Sequence, residues 1–391
     1  MTESNKHYSA ALDCCRWVAA FLVLAGHVRH MLLADFDALA HKNVMMKAFY
    51  FITGVGDEAV VVFFVLSGLL VGGSAAKKFL EGRYDAREYA IHRIGRIYTV
   101  LIPALMVGGL LDIIGVLYFN GSQIYTHPHL YPTTPVIDIT VDNLNIPTFL
   151  GNVLMMQHWL VPVFGSNGPL WSLTSEWWFY CLFWALLGAA SANRTKGVRL
   201  AYGSLAIVMA AVLPASVLLW FSIWLVGVAM AFVDRIRLRI PPAVGLCVFG
   251  AVLIGIRVIK SSNLFEHANP LMRHYWLDVA IAGGYCVLLA ALCRIRSFRL
   301  GSHRFHQTMS GFSYTTYLAH MPMMVFLSAV AYSCFGIRFA QQPGPFVWAY
   351  LSATVALLYL YSYMFAILTE RKTTHVRRFL ERCSAPRLQT S

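Results

Sequence analysis

Charge is scarce in this chain. Asp, Glu, Lys and Arg make up 13% of its 391 residues, about half of what a soluble globular domain carries. With 58% hydrophobic and 14% aromatic residues, that shortage excludes an ordinary soluble domain and indicates a polytopic membrane protein. Patterned cysteine is also missing. The eight cysteines, at positions 14, 15, 181, 247, 286, 293, 334 and 383, form no C-x-x-C, and no Cys/His set has zinc spacing. They lie mostly inside apolar runs and read as small core hydrophobes. No small-x-small cleavage site follows the first apolar run, which leads instead into "VRHMLLADFDALAHKN", so this run is expected to stay in place as a helix. Repeats, low-complexity linkers and a soluble second domain are absent from the pattern.

What remains is a series of apolar runs. A span needs about 20 apolar residues to cross roughly 30 Å of hydrocarbon. Candidate spans fall near 12–34, 57–76, 97–119, 170–190, 199–213, 216–233, 242–259, 275–293, 311–335 and 346–369. The expected fold is therefore an all-α, polytopic integral membrane helix bundle of about ten spans. The segment 147–163, "PTFLGNVLMMQHWLVPV", is either an eleventh span or a re-entrant piece. The expected organisation is a tail at 1–11, a transmembrane domain at 12–369 and a basic tail at 370–391.

The formal net charge of +13 invites a nucleic-acid reading, but the placement of the basic residues argues against it. With the N-terminus inside, segments 1–11, 77–96, 191–199, 234–240, 294–306 and 370–391 hold 23 of the 31 Lys and Arg. The outer loops and outer helix ends hold seven. This is the inside-positive bias of membrane proteins, and it places both termini in the cytoplasm with no nucleic-acid partner. The longest outer loop, about 120–146, carries no Lys or Arg and is rich in Pro, Thr, Asp and Tyr.

Ionisable groups within spans are costly and mark sites. Arg16 and His27 are eleven residues apart, which at 100° per residue is about 20° beyond three turns, so they share a helix face, with His27 about 16 Å further along. Asp13 lies one turn before Arg16, placed to pair with it. Asp13, Arg16 and His27 thus form a polar stripe of the kind that lines a hydrated cavity. Read singly, Arg16 could instead snorkel inward and His27 be a satisfied core histidine. His30 follows His27 by three, yet no acid or third ligand is spaced to complete a metal site, and no metal is expected.

Other polar groups sort by depth. Asp57, Glu58, Asp112, Glu176 and Asp278 lie near outer helix ends or in outer halves, and Asp57 and Glu58 are expected to face water. His320 lies near mid-membrane. Glu176, in "GPLWSLTSEWWFYCLFW", is bracketed by Trp171, Trp177, Trp178 and Tyr180. These aromatics read as an interfacial belt or as flat faces beside a sugar-binding carboxylate. On the inner side, Arg93 and Arg96 are helix neighbours at i,i+3 and suit either bidentate phosphate binding or membrane anchoring. Ser67, in "FFVLSGLLVGG", is outside any G-x-S-x-G elbow and has no base at a readable spacing. Gly68 and Gly72 form a G-x-x-x-G step, the mark of a close helix contact.

Five stretches together carry a resemblance. "LDCCRWVAAFLVLAGH" resembles the opening helix of the membrane-bound acyltransferase-3 family with its Arg-x10-His pattern, here Arg16 to His27. "VVFFVLSGLLVG", "HRIGRIY", "GPLWSLTSEWWFYCLF" and "GFSYTTYLAHMPMMVF" are similar to its later motifs, in family order. The sequence departs at Cys14 and Cys15, and at Glu58, where the family often has a neutral residue. The resemblance implies a multi-pass enzyme, in a bacterial inner membrane, that moves an acyl group, often acetyl, from cytoplasmic acyl-CoA to a hydroxyl of a glycan, polysaccharide or lipid-linked sugar. It implies that His27 is the catalytic histidine and Arg16 its charged partner, and that Arg93 and Arg96 hold the CoA phosphates. Glu176 is expected to orient the acceptor. The alternative class is a proton-coupled transporter or flippase, which also uses intramembrane Arg, His and acids. Against that class stand the absence of an internal repeat and of paired broken helices.

Overall fold

The computed structural model describes residues 3–136, 138–233, 240–262, 269–293, 295 and 301–384. Of the expected basic inner segments, residues 234–239, 294, 296–300 and 385–391 lie outside the described residues. The helices run α1 Glu3–Leu32, α2 Val44–Thr53, α3 Gly56–Ser67, α4 Gly73–Leu80, α5 Ala86–Tyr118, α6 Thr140–Asn143, α7 Ile146–Val153 and α8 Leu170–Ala190. They continue with α9 Lys196–Val212, α10 Ala215–Met230, α11 Pro242–Ser261, α12 Pro270–Leu292, α13 His303–Ser310, α14 Ser313–Phe335, α15 Pro345–Leu368 and α16 Thr373–Cys383. Among the described residues there is no β-strand, and the fold is all-α as expected.

Each of the ten expected spans is helical. Among the described residues, seven helical stretches are long and apolar enough to cross a membrane, and the 16-residue α10 is a shorter apolar helix. Many of their apolar side chains point outward. On α11, Leu246 is 58% exposed and Val258 59%. Large exposed apolar faces of this kind are the mark of a surface that meets lipid. In the segment 147–163, left open by the sequence, the helix is short. Only Ile146–Val153 is helical, a rise of about 12 Å, because Met155 and His158 turn into the left-handed region at φ 58° and 73°. It does not form an eleventh spanning helix.

Helix ends follow local chemistry. Asp85 caps α5 by accepting from the amides of Arg87 and Glu88 at 2.8 and 3.3 Å. Asn145 caps α7 through Thr148 N at 2.8 Å, and Asn269 caps α12 through Leu271 N at 3.0 Å. A side-chain acceptor satisfies first-turn amides that have no partner within the helix. Gly336 ends α14 in the left-handed conformation, φ 65°, which a residue without Cβ adopts freely.

The chain divides into two compact units. The first comprises Met1–Val23, Val55–Tyr84 and Ser175–Ser310, and the second Leu24–Gly54, Asp85–Thr174 and Gly311–Ser391. In the first unit, α3 continues into a five-residue π-helical turn, Gly68–Gly72, and packs on α10. A methyl at Gly68 would lie 2.0 Å from the Trp224 carbonyl oxygen, and one at Gly227 would lie 2.2 Å from that of Val65. The backbones therefore approach closely because both positions lack a side chain, as the G-x-x-x-G step predicts. Trp224 is fully buried, with the ring of Phe183 edge-on at 5.1 Å and that of Phe221 stacked at 5.8 Å.

In the second unit, Leu24, Val28, Met31 and Leu32 of α1 form one core with Met321, Met324 and Val325 of α14 and Leu358 of α15. Ile124, Tyr125 and Val136 from the long loop join it, so this loop is folded onto the helices. Burial, with the Asp112 charge adding to it, pushes the Tyr125 phenol above its ordinary range. The cysteine reading needs a correction. All eight are free thiols, but Cys247, Cys334 and Cys383 are exposed because they lie on outward faces of their helices.

Candidate active site

The second unit brings together two histidines that are 293 residues apart in the chain. His27 Nδ1 on α1 and His320 Nε2 on α14 lie 2.9 Å apart, with their rings nearly parallel at 9°. His320 is fully buried. Its other nitrogen, Nδ1, is 2.8 Å from the Thr316 carbonyl oxygen and 3.0 Å from that of Tyr317. The ring of His27 is thereby held by a neighbour that is itself held by the backbone of α14.

The sequence of α14 explains this anchorage. Pro322 sits inside the helix and has no amide hydrogen, so the carbonyl four residues earlier loses its usual donor. That carbonyl belongs to Leu318, and Asn167 Nδ2 supplies the missing hydrogen bond at 2.8 Å. The Ser172 and Tyr317 hydroxyls are 2.6 Å apart, which ties the start of α8 to the same stretch of α14. Just outside the pair, Arg29 is buried, with its NH2 2.7 Å from His30 Nε2 and its guanidinium 4.8 Å from the Tyr50 ring centre. His30 is thus engaged by an arginine.

The Arg93 and Arg96 side chains have different surroundings. Both lie on α5, one turn apart. Arg96 pairs with Glu370 at 2.6 Å and lies over the Tyr314 ring at 4.9 Å. Glu370 is almost completely buried and also accepts from the Thr315 amide at 3.1 Å and hydroxyl at 2.7 Å. Arg93 lies 6.0 Å from the Tyr89 ring centre. One member of the expected pair is thus already held by a carboxylate. Asp112, also in this unit, is fully buried, and its two oxygens accept from the Ser166 amide and hydroxyl, both at 2.7 Å.

The first unit holds the remaining candidates. Asp13 and Arg16 form the expected ion pair at 3.7 Å. Beside Arg16, Trp17 Nε1 donates to His306 Nδ1 at 3.0 Å. Glu176 and Ser67, unconnected in the sequence, are joined by Tyr180. The Tyr180 hydroxyl donates to Glu176 Oε1 and lies 2.9 Å from Ser67 Oγ, while Trp224 Nε1 donates to Ser67 Oγ at 3.1 Å. With Tyr180 spending its proton on the carboxylate, Ser67 donates to Tyr180. Ser67 is therefore a link in an ordered chain of hydroxyls ending at Glu176.

The expectation that Glu58 faces water is overturned. Glu58 is 2% exposed and takes a salt bridge from Lys260 at 2.8 Å. A buried carboxylate needs such a counter-charge, and Lys260 on α11 provides it. Asp57 is exposed, as expected. Asp278 accepts from Trp220 Nε1 at 3.0 Å. The sequence pattern does not single out Trp224, Glu370 or Asn167, and it offers Tyr180 only as an aromatic neighbour of Glu176. Tyr180 was within reach, since it stands four residues after Glu176 on one helix.

Helices of this length and apolarity, with polar clusters built into them, define a multi-pass membrane protein. Residues 9–365 match the acyltransferase-3 family, described as an acyltransferase domain, and the chain belongs to this family. It is similar to a protein named acyltransferase MdmB from Streptomyces mycarofaciens, at 30% identity over 176 residues. That stretch covers 44% of this chain and 38% of the relative, so the chain spans well under half the length of the curated relative it matches. No solved structure gives a significant match.

Proposed function

We propose that this acyltransferase moves an acyl group, acetyl as the simplest case, from cytoplasmic acyl-CoA to a hydroxyl of a glycan, polysaccharide or lipid-linked saccharide. The observation that carries the reading is the fixed ring of His27, held through His320 by the backbone of α14. A base or nucleophile must be held in place to act, and an imidazole titrates near working pH. His27 takes the acceptor hydroxyl proton as the hydroxyl oxygen attacks the thioester carbonyl. The carbon–sulfur bond breaks, and the proton passes from His27 to the departing sulfur, giving ester and free CoA. The inside-positive charge bias and the family support termini in the cytoplasm and residence in a bacterial inner membrane.

The other roles follow from charge and position. Arg93 and Arg96 bind the CoA phosphates. Arg16, paired with Asp13, offers a cation to the donor. Glu176, at the end of the Ser67–Tyr180 chain, orients the acceptor beside its aromatic neighbours.

The test is transfer of radiolabel from acetyl-CoA into envelope material by membranes containing wild type or His27→Ala at equal expression. Loss of transfer in His27→Ala is expected, and near wild-type transfer refutes the reading. Mass spectrometry of envelope glycans with and without the gene identifies the acceptor. Protection against heat by acyl-CoA separates this reading from a proton-coupled transporter.

A further inference from the structure

Resting on the reading of His27 as the reactive group, the geometry points to His320 as a positioning residue that fixes which nitrogen of His27 does the chemistry. Carbonyl oxygens only accept hydrogen bonds. His320 Nδ1 lies at 2.8 and 3.0 Å from two of them, those of Thr316 and Tyr317, so it carries a hydrogen. A ring whose one hydrogen is on Nδ1 has a lone pair on Nε2. Nε2 is therefore an acceptor, and the atom 2.9 Å away, His27 Nδ1, is the donor. The neutral ring of His27 then has its lone pair on Nε2. Nε2 takes the acceptor proton, and Nδ1–H keeps its hydrogen bond to His320 while His27 is charged.

This ordering depends on direction, not on contact alone. Were the His320 hydrogen on Nε2, His27 would have to accept through Nδ1, and its Nε2 would carry hydrogen and could take none. The Thr316 and Tyr317 carbonyls prevent this, and α14 holds them at one and the same edge of the His320 ring. The role resembles that of the orienting acid in a serine-hydrolase triad, with a neutral imidazole in place of the carboxylate.

The experiment uses full-length protein in detergent or native membranes, with acetyl-CoA as donor probe and native membranes as acceptor source. His320→Leu removes the acceptor, whereas His320→Gln places an amide oxygen near the lost Nε2. His320→Leu is expected to lower kcat about 100-fold or more with KM for acetyl-CoA within about threefold, and His320→Gln to recover at least about tenfold of that loss. Nitrogen-15 spectra of histidine-labelled wild type, with His27 assigned by the signal lost in His27→Ala, are expected to place the His27 hydrogen on Nδ1. A hydrogen on His27 Nε2, or wild-type kcat in His320→Leu, overturns the inference. Should His320→Leu fail to fold, the wild-type spectra and His320→Gln decide it. Transfer retained by His27→Ala removes the underlying reading. Transfer lost in His27→Ala but normal in His320→Leu removes only the role given to His320.

Discussion

Lys260 Nζ on α11 lies 2.8 Å from Glu58 Oε1 on α3, and the carboxylate has 2% of its surface exposed. Removing the lysine alone strands a buried charge, which costs about 3 kcal/mol or more. Lys260→Met is therefore expected to lower the unfolding temperature in detergent clearly. Adding Glu58→Gln to that variant should restore most of the loss, because a neutral pair at this site needs no compensation. Equal instability of single and double variants would show that the pair contributes through shape alone.

Tyr180 connects Glu176 to Ser67. Tyr180→Phe removes the hydroxyl and keeps the ring. A hydrogen bond to a charged group is worth about 1.5 to 3 kcal/mol, so the freed carboxylate loses its fixed direction. If Glu176 orients the acceptor, KM for the acceptor should rise about tenfold, which is about 1.4 kcal/mol, with KM for acyl-CoA unchanged. Steady-state transfer at varied concentrations of each substrate measures both. A change confined to acyl-CoA would remove Glu176 from the acceptor side.

Arg96 has a buried carboxylate partner, Glu370. The double variant Arg93→Gln/Arg96→Gln is expected to raise KM for acyl-CoA at least about tenfold and leave that for the acceptor unchanged. Arg96→Gln alone should also lower thermal stability, since Glu370 loses this counter-charge. A rise in KM for the acceptor alone would refute the phosphate assignment.

The close approach of α3 and α10 predicts a steric outcome. Gly227→Val would place its Cβ 2.2 Å from the Val65 carbonyl oxygen, a backbone atom that no rotamer can move aside. Gly197→Val, with open space around the Cβ position, is the control. Gel filtration in detergent should show loss of the folded species for Gly227→Val and none for Gly197→Val.

The helices could be read from the sequence because a run of about 20 apolar residues has few alternatives in lipid. All ten expected runs are helical, and the Asp13–Arg16 pair follows from one-turn spacing. The π-helical turn at Gly68–Gly72 could not be read, since its glycines signal close packing but not a local change of helix pitch. Segment 147–163 stayed open because apolarity does not reveal where left-handed residues such as Met155 stop a helix. The deeper limit is distance along the chain. His27 and His320 each stood out as polar residues in apolar runs, but no spacing rule joins positions so far apart. Glu58 looked wet because its cation lies 202 residues away.

The carbonyl left over at Leu318 has a consequence for how the site is built. Because proline cannot complete the backbone ladder there, an amide side chain from a separate loop does so. The stretch that carries the second imidazole is therefore braced from outside, by Asn167 at the Leu318 carbonyl and by Ser172 at the Tyr317 hydroxyl. Asn167 deserves the same scrutiny as the histidines themselves, for an error of an ångström in that brace would reach the reacting ring through only two further bonds.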